Sequence, residues 1–337
     1  MNRVLGLCVA AAALASLPPS DVQRFEAVEA HMGTLVRVTV YTPDEQAARL
    51  AFRAAFDRIQ DLDALLSDYR PDSELNAVTA SAVGRPLPVS ADLFAVLAAS
   101  QDLAQATNGA FDITQGPAVR LWREARETGR VPDPAALREA AARGGFRKLH
   151  LDAAHRTVSV EDPGMALDLG AIGKGYAATA AIEVLDALGV RSALVAISGD
   201  LAFSGAPPGR RGWRISVNRG DPPVAGVPAA LELTHAAVST AGAAEQHVNV
   251  EGRRYSHILD PSSGMGLVDD LTVTVIAPHG LEADGLDTAA SVLGIDRGLA
   301  LIESRPGAAA LFVHRTRDGT AVHASSRFRA LARRAAL

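Results

Sequence analysis

Leu35-Val36-Arg37-Val38-Thr39-Val40-Tyr41, followed over Asp44 to Leu66 by Phe52, Phe56, Ile59, Leu62 and Leu66, is the stretch on which the fold class turns. The first segment alternates as a strand and the second repeats at helical spacing, so one period gives way to the other within a few residues. A regular βαβ chain would keep repeating that exchange. Here strand-like runs follow one another instead, at Ala193–Ile197, Trp213–Val217, Ala229–Thr234, Arg254–Ile258 and Leu271–Ile276, with another at Ala309–Val313. Such runs predict an α+β protein with antiparallel or mixed sheets.

Further helices are expected from Ser90, as N-cap, to Asn108-Gly109, and from Asp133-Pro134 to Gly144-Gly145. Others are expected from about Gly175 to Leu188 and near Ala283–Leu293 and Arg297–Glu303. The segment Leu149 to Leu169 reads as short alternating runs, and the loops at Gly205 to Gly212 and Gly220 to Val227 interrupt the series.

Residues 1–20 read as an export signal, with Arg3, an apolar run from Val4 to Ala15 and a small-residue cleavage site at Ala13-Leu14-Ala15. The remainder, residues 21–337, is expected to form one domain. That run is too short to span a bilayer, which needs about 20 apolar residues. Cys8, the one cysteine, falls inside it and follows Leu7 rather than a small residue, so a lipid anchor is not favoured. The mature chain would then hold no thiolate ligand or nucleophile. A formal charge of -5, with no basic run beyond Arg327, Arg329, Arg333 and Arg334, excludes nucleic acid as a partner.

Four segments could carry chemistry. In Ala283-Asp284-Gly285-Leu286-Asp287-Thr288-Ala289, Asp284 and Thr288 share a helix face and suit a hard cation such as Mg²⁺. A first-turn acid beside a packed threonine is the plainer reading of the same residues. Asp168-Leu169-Gly170-Ala171-Ile172-Gly173-Lys174-Gly175-Tyr176 runs from a strand end through glycines into a helix, which either offers N–H groups to an anion or makes a tight connection. Of 33 basic residues only Lys148 and Lys174 are lysines, a weak pointer to a compact ammonium at Lys174. His257, at the end of a strand in Tyr255-Ser256-His257-Ile258-Leu259-Asp260-Pro261, suits proton transfer, phosphate binding or a structural role. Gly109-Ala110-Phe111-Asp112-Ile113-Thr114 offers a ring and a carboxylate, or an ordinary helix-to-strand junction. G-x-S-x-G, S-x-x-K, H-E-x-x-H and an early G-x-G-x-x-G are all missing, and the nine histidines show no short paired spacing.

Together, in this order, these segments resemble the FAD:protein FMN transferase family, also called the ApbE family. The resemblance rests on Met32-Gly33-Thr34, Tyr69 with Ser73 and Glu74, and Gly109 to Thr114 with Gly116-Pro117 and Trp122. It continues through Asp168 to Tyr176, Ser198-Gly199-Asp200, Thr240 to Gly242, His257 to Pro261 with Gly264, and Ala283 to Ala289. It implies a T-fold-like α+β core binding FAD in a cleft, with FAD contacts at Met32, Tyr69, Ala110, Phe111, Asp112, Lys174, Ile258 and Asp287. It also implies magnesium held by Asp284, Thr288 and the Gly173 carbonyl, with His257 handling a proton or a phosphate.

The reaction implied is transfer of FMN from FAD to a threonine or serine of an acceptor protein, releasing AMP. The implied acceptor carries a D-G-x-[ST]-G-A-[ST]-like segment and belongs to a membrane-associated or exported electron-transfer protein, placing the enzyme in the periplasm or on the outer face of the cytoplasmic membrane. An FAD pyrophosphatase and a non-catalytic flavin-binding protein are the alternatives. Self-modification is excluded, since the nearest segment, Ser204-Gly205-Ala206-Pro207, ends in proline. Gly173, Ser198, Gln115 and Ala241 depart from the residues usual in the family.

Overall fold

The computed structural model describes residues 22–217, 223–242, 247–250, 252–317 and 319–335. The expected export signal and Cys8 lie outside the described residues. Among the described residues the helices are α1 Glu45–Leu66, α2 Glu74–Ser81, α3 Ala91–Ala106, α4 Gly116–Thr128, α5 Pro134–Arg143, α6 Gly173–Ala187, α7 Gly280–Ser304 and α8 Ser326–Ala335. None is long and apolar enough to cross a membrane.

Helix starts follow from side-chain caps. The Asp44 carboxylate accepts from the Ala47 N–H at 2.8 Å, the Ser90 hydroxyl from Leu93 at 3.2 Å, and Asp133 from Ala136 at 3.2 Å with Pro134 opening α5. All three starts lie where the sequence puts them. The helices α2, α4 and α8 were not anticipated; α4 opens on Gly116-Pro117 without a side-chain cap. The two helices expected near Ala283–Leu293 and Arg297–Glu303 are the two halves of α7, divided where Gly294 leaves helical geometry at φ 74° and ψ -176°.

The main sheet has eight strands among the described residues, in spatial order Gln23–His31, Thr34–Thr42, Ala193–Ile197, Asp200–Phe203, Ala236–Gly242, Asp270–Ala277, Ala309–Thr316 and Gly319–Ala324. Every neighbouring pair is antiparallel, so the α+β expectation holds. Met32 and Gly33, at φ 51° and 71°, form the two-residue turn between the first two strands, where positive φ matches the right-handed strand twist.

Alternation along each strand divides the apolar side chains between two faces. Val36, Val38, Val195, Ile197, Val273 and Val275 join α1, α6 and α7 in the larger core. Leu311, Val313, Ile276 and Val238 join Trp213, Leu233 and the Phe328 of α8 in a second core. A third, smaller cluster packs α4 and α5 against the hairpin of His247–Val250 and Arg253–Ser256, with the Trp122 indole donating to the Gly264 carbonyl at 2.8 Å.

Three helices meet at Asp92 on α3. It accepts from Arg58 of α1 at 2.9 and 2.5 Å and from the Tyr176 hydroxyl of α6 at 2.6 Å. Hydrogen bonding from Arg58 holds the Asp92 carboxyl below the usual carboxylate range. A group depressed in the folded state stabilises above its unfolded pKa and stops doing so as pH falls through the folded one. Asp92→Asn is therefore expected to cost about 1–2 kcal/mol in urea unfolding at neutral pH, with the gap to the unsubstituted protein closing below about pH 4.

Candidate active site

Two helix beginnings touch without side chains between them. A Cβ on Gly175 of α6 would lie 2.1 Å from the Gly280 carbonyl oxygen, and a Cβ on Gly280 of α7 would lie 2.1 Å from that of Gly175. Neither position can hold anything larger than glycine without moving a helix. The crossing is pinned by the Gly280 N–H donating to the Thr179 hydroxyl at 2.8 Å and the Gly175 N–H donating to Asp284 at 2.9 Å.

Lys174 follows from this contact. Its Nζ lies 2.9 Å from the Asp200 carboxylate, 3.8 Å from that of Asp284, and donates to the Gly170 carbonyl at 3.1 Å. Asp200 begins a central strand, with Ala202, two residues on and so on the same face, in the helix-covered core. Ser239, on the adjacent strand, donates to Asp287 at 2.6 Å and also contacts Asp200. Asp287 lies three residues beyond Asp284 on α7. Asp200, Asp284 and Asp287 are all buried, and one ammonium faces three carboxylates.

Burial, then the charge of Asp200, pushes Asp284 up to about 7 against the pull of Lys174. Burial, then Asp284 and Asp200, pushes Asp287 well above the carboxylate range. For Lys174 burial works against the charge, but Asp284 and Asp200 outweigh it and keep the ammonium protonated. Ser239 has a single proton for two carboxylates, so its second contact is a hydrogen bond only when a carboxyl itself carries a proton. The second Asp287 oxygen is buried without a hydrogen-bond partner.

An excess of buried negative charge with an unsatisfied oxygen suits a hard cation with oxygen ligands. No group of three His, Cys, Asp or Glu side chains is arranged for a metal among the described residues. The implied set of Asp284, Thr288 and the Gly173 carbonyl needs only one carboxylate, and the residues present fit Mg²⁺ on that donor chemistry.

The remaining expected residues divide. Tyr69 is 73% exposed, with the Arg123 guanidinium 4.0 Å from its ring centroid. Arg123 reaches Asp68 and, at 2.7 Å, Asp168, whose other oxygen accepts from the Gly170 N–H at 2.8 Å. Ile258 lines a cavity of about 290 Å³ with Ser256, Leu267 and Ser291, and the Ser291 hydroxyl donates to the Asp287 carbonyl at 2.7 Å. His257 is half-buried between Ser256 and Ile258. Met32 sits at the hairpin turn, packed against the larger core.

Ala110 is half-buried, but the Phe111 ring lies inside the larger core. Asp112 has both oxygens engaged, one by the Thr114 N–H and hydroxyl of its own loop at 2.9 and 2.6 Å and the other by the Phe146 N–H beyond α5 at 3.1 Å. Asp112 thus shapes the loop that α4 follows. An open groove of about 550 Å³ past Asn108, Arg297 and Arg305 is larger, but none of these carboxylates lines it.

Sequence reasoning assigned no role to Ser239 or Arg123 and took Asp200 only as part of a motif. A serine beside Thr240 carries no visible signal, because its role depends on sheet pairing.

Residues 32–312 match the pattern of the ApbE family. An FAD:protein FMN transferase of Treponema pallidum is 36% identical over 309 residues, covering 87% of this chain and 85% of that protein. One from Klebsiella pneumoniae is 31% identical over 335 residues, covering 97% and 95%. Among solved structures, the apo form of the Pseudomonas stutzeri flavinyl transferase ApbE is similar with a TM-score of 0.78 and 33% identity, covering 93% of this chain and 97% of that one.

The glycine crossing can be tested apart from any chemistry. Gly175→Ala is expected to cost about 2–3 kcal/mol of stability, since backbone must move. At Gly173 a Cβ meets nothing closer than 3.8 Å, so Gly173→Ala should change stability by less than about 1 kcal/mol. Thermal or urea unfolding of the two variants checks the contrast.

Proposed function

The chain belongs to the ApbE family, and we infer from that membership that it is an FAD:protein FMN transferase. It is an enzyme that takes FAD as substrate and moves the FMN half onto an acceptor protein. The observation that carries the reading to a site is the buried Asp200, Asp284 and Asp287 cluster around Lys174, beside a glycine turn.

We propose that the pyrophosphate of FAD lies against that turn, where backbone N–H groups and the Lys174 ammonium meet its charge. The acceptor hydroxyl, from threonine or serine, attacks the FMN-side phosphorus. A new oxygen–phosphorus bond forms, the bond from that phosphorus to the bridging oxygen breaks, and AMP leaves with the bridging oxygen. The hydroxyl proton passes to His257, half-buried beside the Ser256–Ile258 cavity. Gly173, Asp284 and Thr288 would hold magnesium, which when bound neutralises pyrophosphate charge and aligns it for in-line displacement. Met32, Tyr69, Ala110 and Ile258 complete the FAD contacts, with Phe111 and Asp112 fixing the loop that carries Ala110.

We further propose that residues 1–20 direct export, so that the enzyme works in the periplasm or on the outer face of the cytoplasmic membrane. Its acceptor there is an electron-transfer protein with a D-G-x-[ST]-G-A-[ST]-like segment.

Mixing the mature enzyme with FAD, Mg²⁺ and a domain bearing that segment should give an acceptor band that fluoresces after denaturation, with AMP released in equal amount. Asp284→Ala is expected to lower the rate by about a hundredfold or more. AMP and free FMN without a band would instead make the protein an FAD pyrophosphatase, and neither product would leave a flavin binder.

A further inference from the structure

Arg123 belongs to none of the groups assigned so far, yet it holds together two that are. Its guanidinium carbon lies over one face of the Tyr69 ring, 4.0 Å from the centroid, while the residue itself is 73% exposed. One nitrogen donates to Asp68, the residue before Tyr69, so a single group grips both the ring and the backbone segment that bears it. The other donates to Asp168 at 2.7 Å. Asp168 in turn accepts from the Gly170 N–H at 2.8 Å, and the Gly170 carbonyl accepts from Lys174 at 3.1 Å.

An exposed tyrosine left alone samples several rotamers, and ordering it on binding costs free energy. A guanidinium stacked beneath it removes most of that freedom beforehand and leaves the other ring face open. Arg123 is itself fixed, because α4 is anchored by the neighbouring Trp122 donating to the Gly264 carbonyl. Lysine could not do the same work, having neither a flat face nor two divergent N–H groups in a rigid fork.

We propose that Arg123 is a positioning residue: it pre-sets the Tyr69 ring as a platform for a planar ring of FAD, at a distance from Lys174 fixed through Asp168 and Gly170. The proposal rests on the reading of Tyr69 as an FAD contact. Arg123 touches no reacting atom, so its effect falls on FAD binding and not on the chemical step.

The test is a double-mutant cycle of Arg123→Lys and Tyr69→Leu in the full-length enzyme with Mg²⁺, measuring KM for FAD and kcat from AMP release. Arg123→Lys is expected to raise KM about three- to tenfold with kcat changed less than about twofold, and to have no further effect on KM in the Tyr69→Leu background. A rise of equal size in both backgrounds, an unchanged KM, or a loss confined to kcat would overturn the proposal. If Tyr69→Leu alone leaves KM unchanged, Tyr69 is no FAD contact and the premise fails with it. Should Arg123→Lys fail to fold by circular dichroism, Asp68→Asn, which loosens the same fork, is expected to raise KM in the same way, and an unchanged KM there refutes the idea.

Discussion

The approach of α6 to α7 at Gly175 and Gly280 governs what the site can be. With no Cβ on either side, backbone meets backbone, and the first turn of α6 delivers Lys174 while α7, one turn in, delivers Asp284. The sheet beneath supplies Asp200 and Ser239 from neighbouring strands. A methyl group at the crossing would separate the helices, and with them the Lys174 ammonium and the Asp284 carboxylate, which also accepts from the Gly175 N–H at the crossing.

That environment is electrostatically unbalanced. Three buried carboxylates around one lysine are tolerable to the fold only with protons or a cation present, and a buried charge left unpaired costs several kcal/mol. The upward displacement of Asp284 and Asp287 expresses the same imbalance in the absence of ligand. Polar clusters elsewhere in the protein look different: Asp92 and Asp112 have their oxygens fully engaged by donors. The contrast separates carboxylates whose oxygens are met by donors from carboxylates buried in excess of theirs.

Much of this was legible in the chain. Period and caps located α1, α3, α5 and α6, because Asp44, Ser90 and Asp133 signal helix starts locally. The helix α4 was not visible, since its start uses no capping side chain. The division of α7 into two helices is legible as well, because Gly294 leaves helical geometry between the two periodic segments. Asp284, Asp287 and Lys174 stood out by motif order, and the structure brings them together. Ser239 and Arg123 did not, because their partners lie 48 residues away at Asp287 and 55 away at Asp68, and no local pattern encodes a contact between segments so far apart in the chain. Phe111 and Asp112 look like ligand contacts in sequence; in the structure the ring lies in the core and the carboxylate accepts from Thr114 and from the distant Phe146 N–H.

The strand Thr34–Thr42 pairs on one side with its immediate predecessor and on the other with Ala193–Ile197. On a ribosome, both strands of the N-terminal hairpin are synthesised long before that second partner exists, and at common synthesis rates the wait is on the order of ten seconds. Throughout it, one row of backbone donors and acceptors stays unpaired and open to pairing with another nascent chain. Arg37, exposed in the middle of the waiting strand, places a charge where a stacked copy would have to bury or oppose it. The topology that sets the site at the centre of the sheet thus makes early chain life the interval in which this protein is most prone to misassociate.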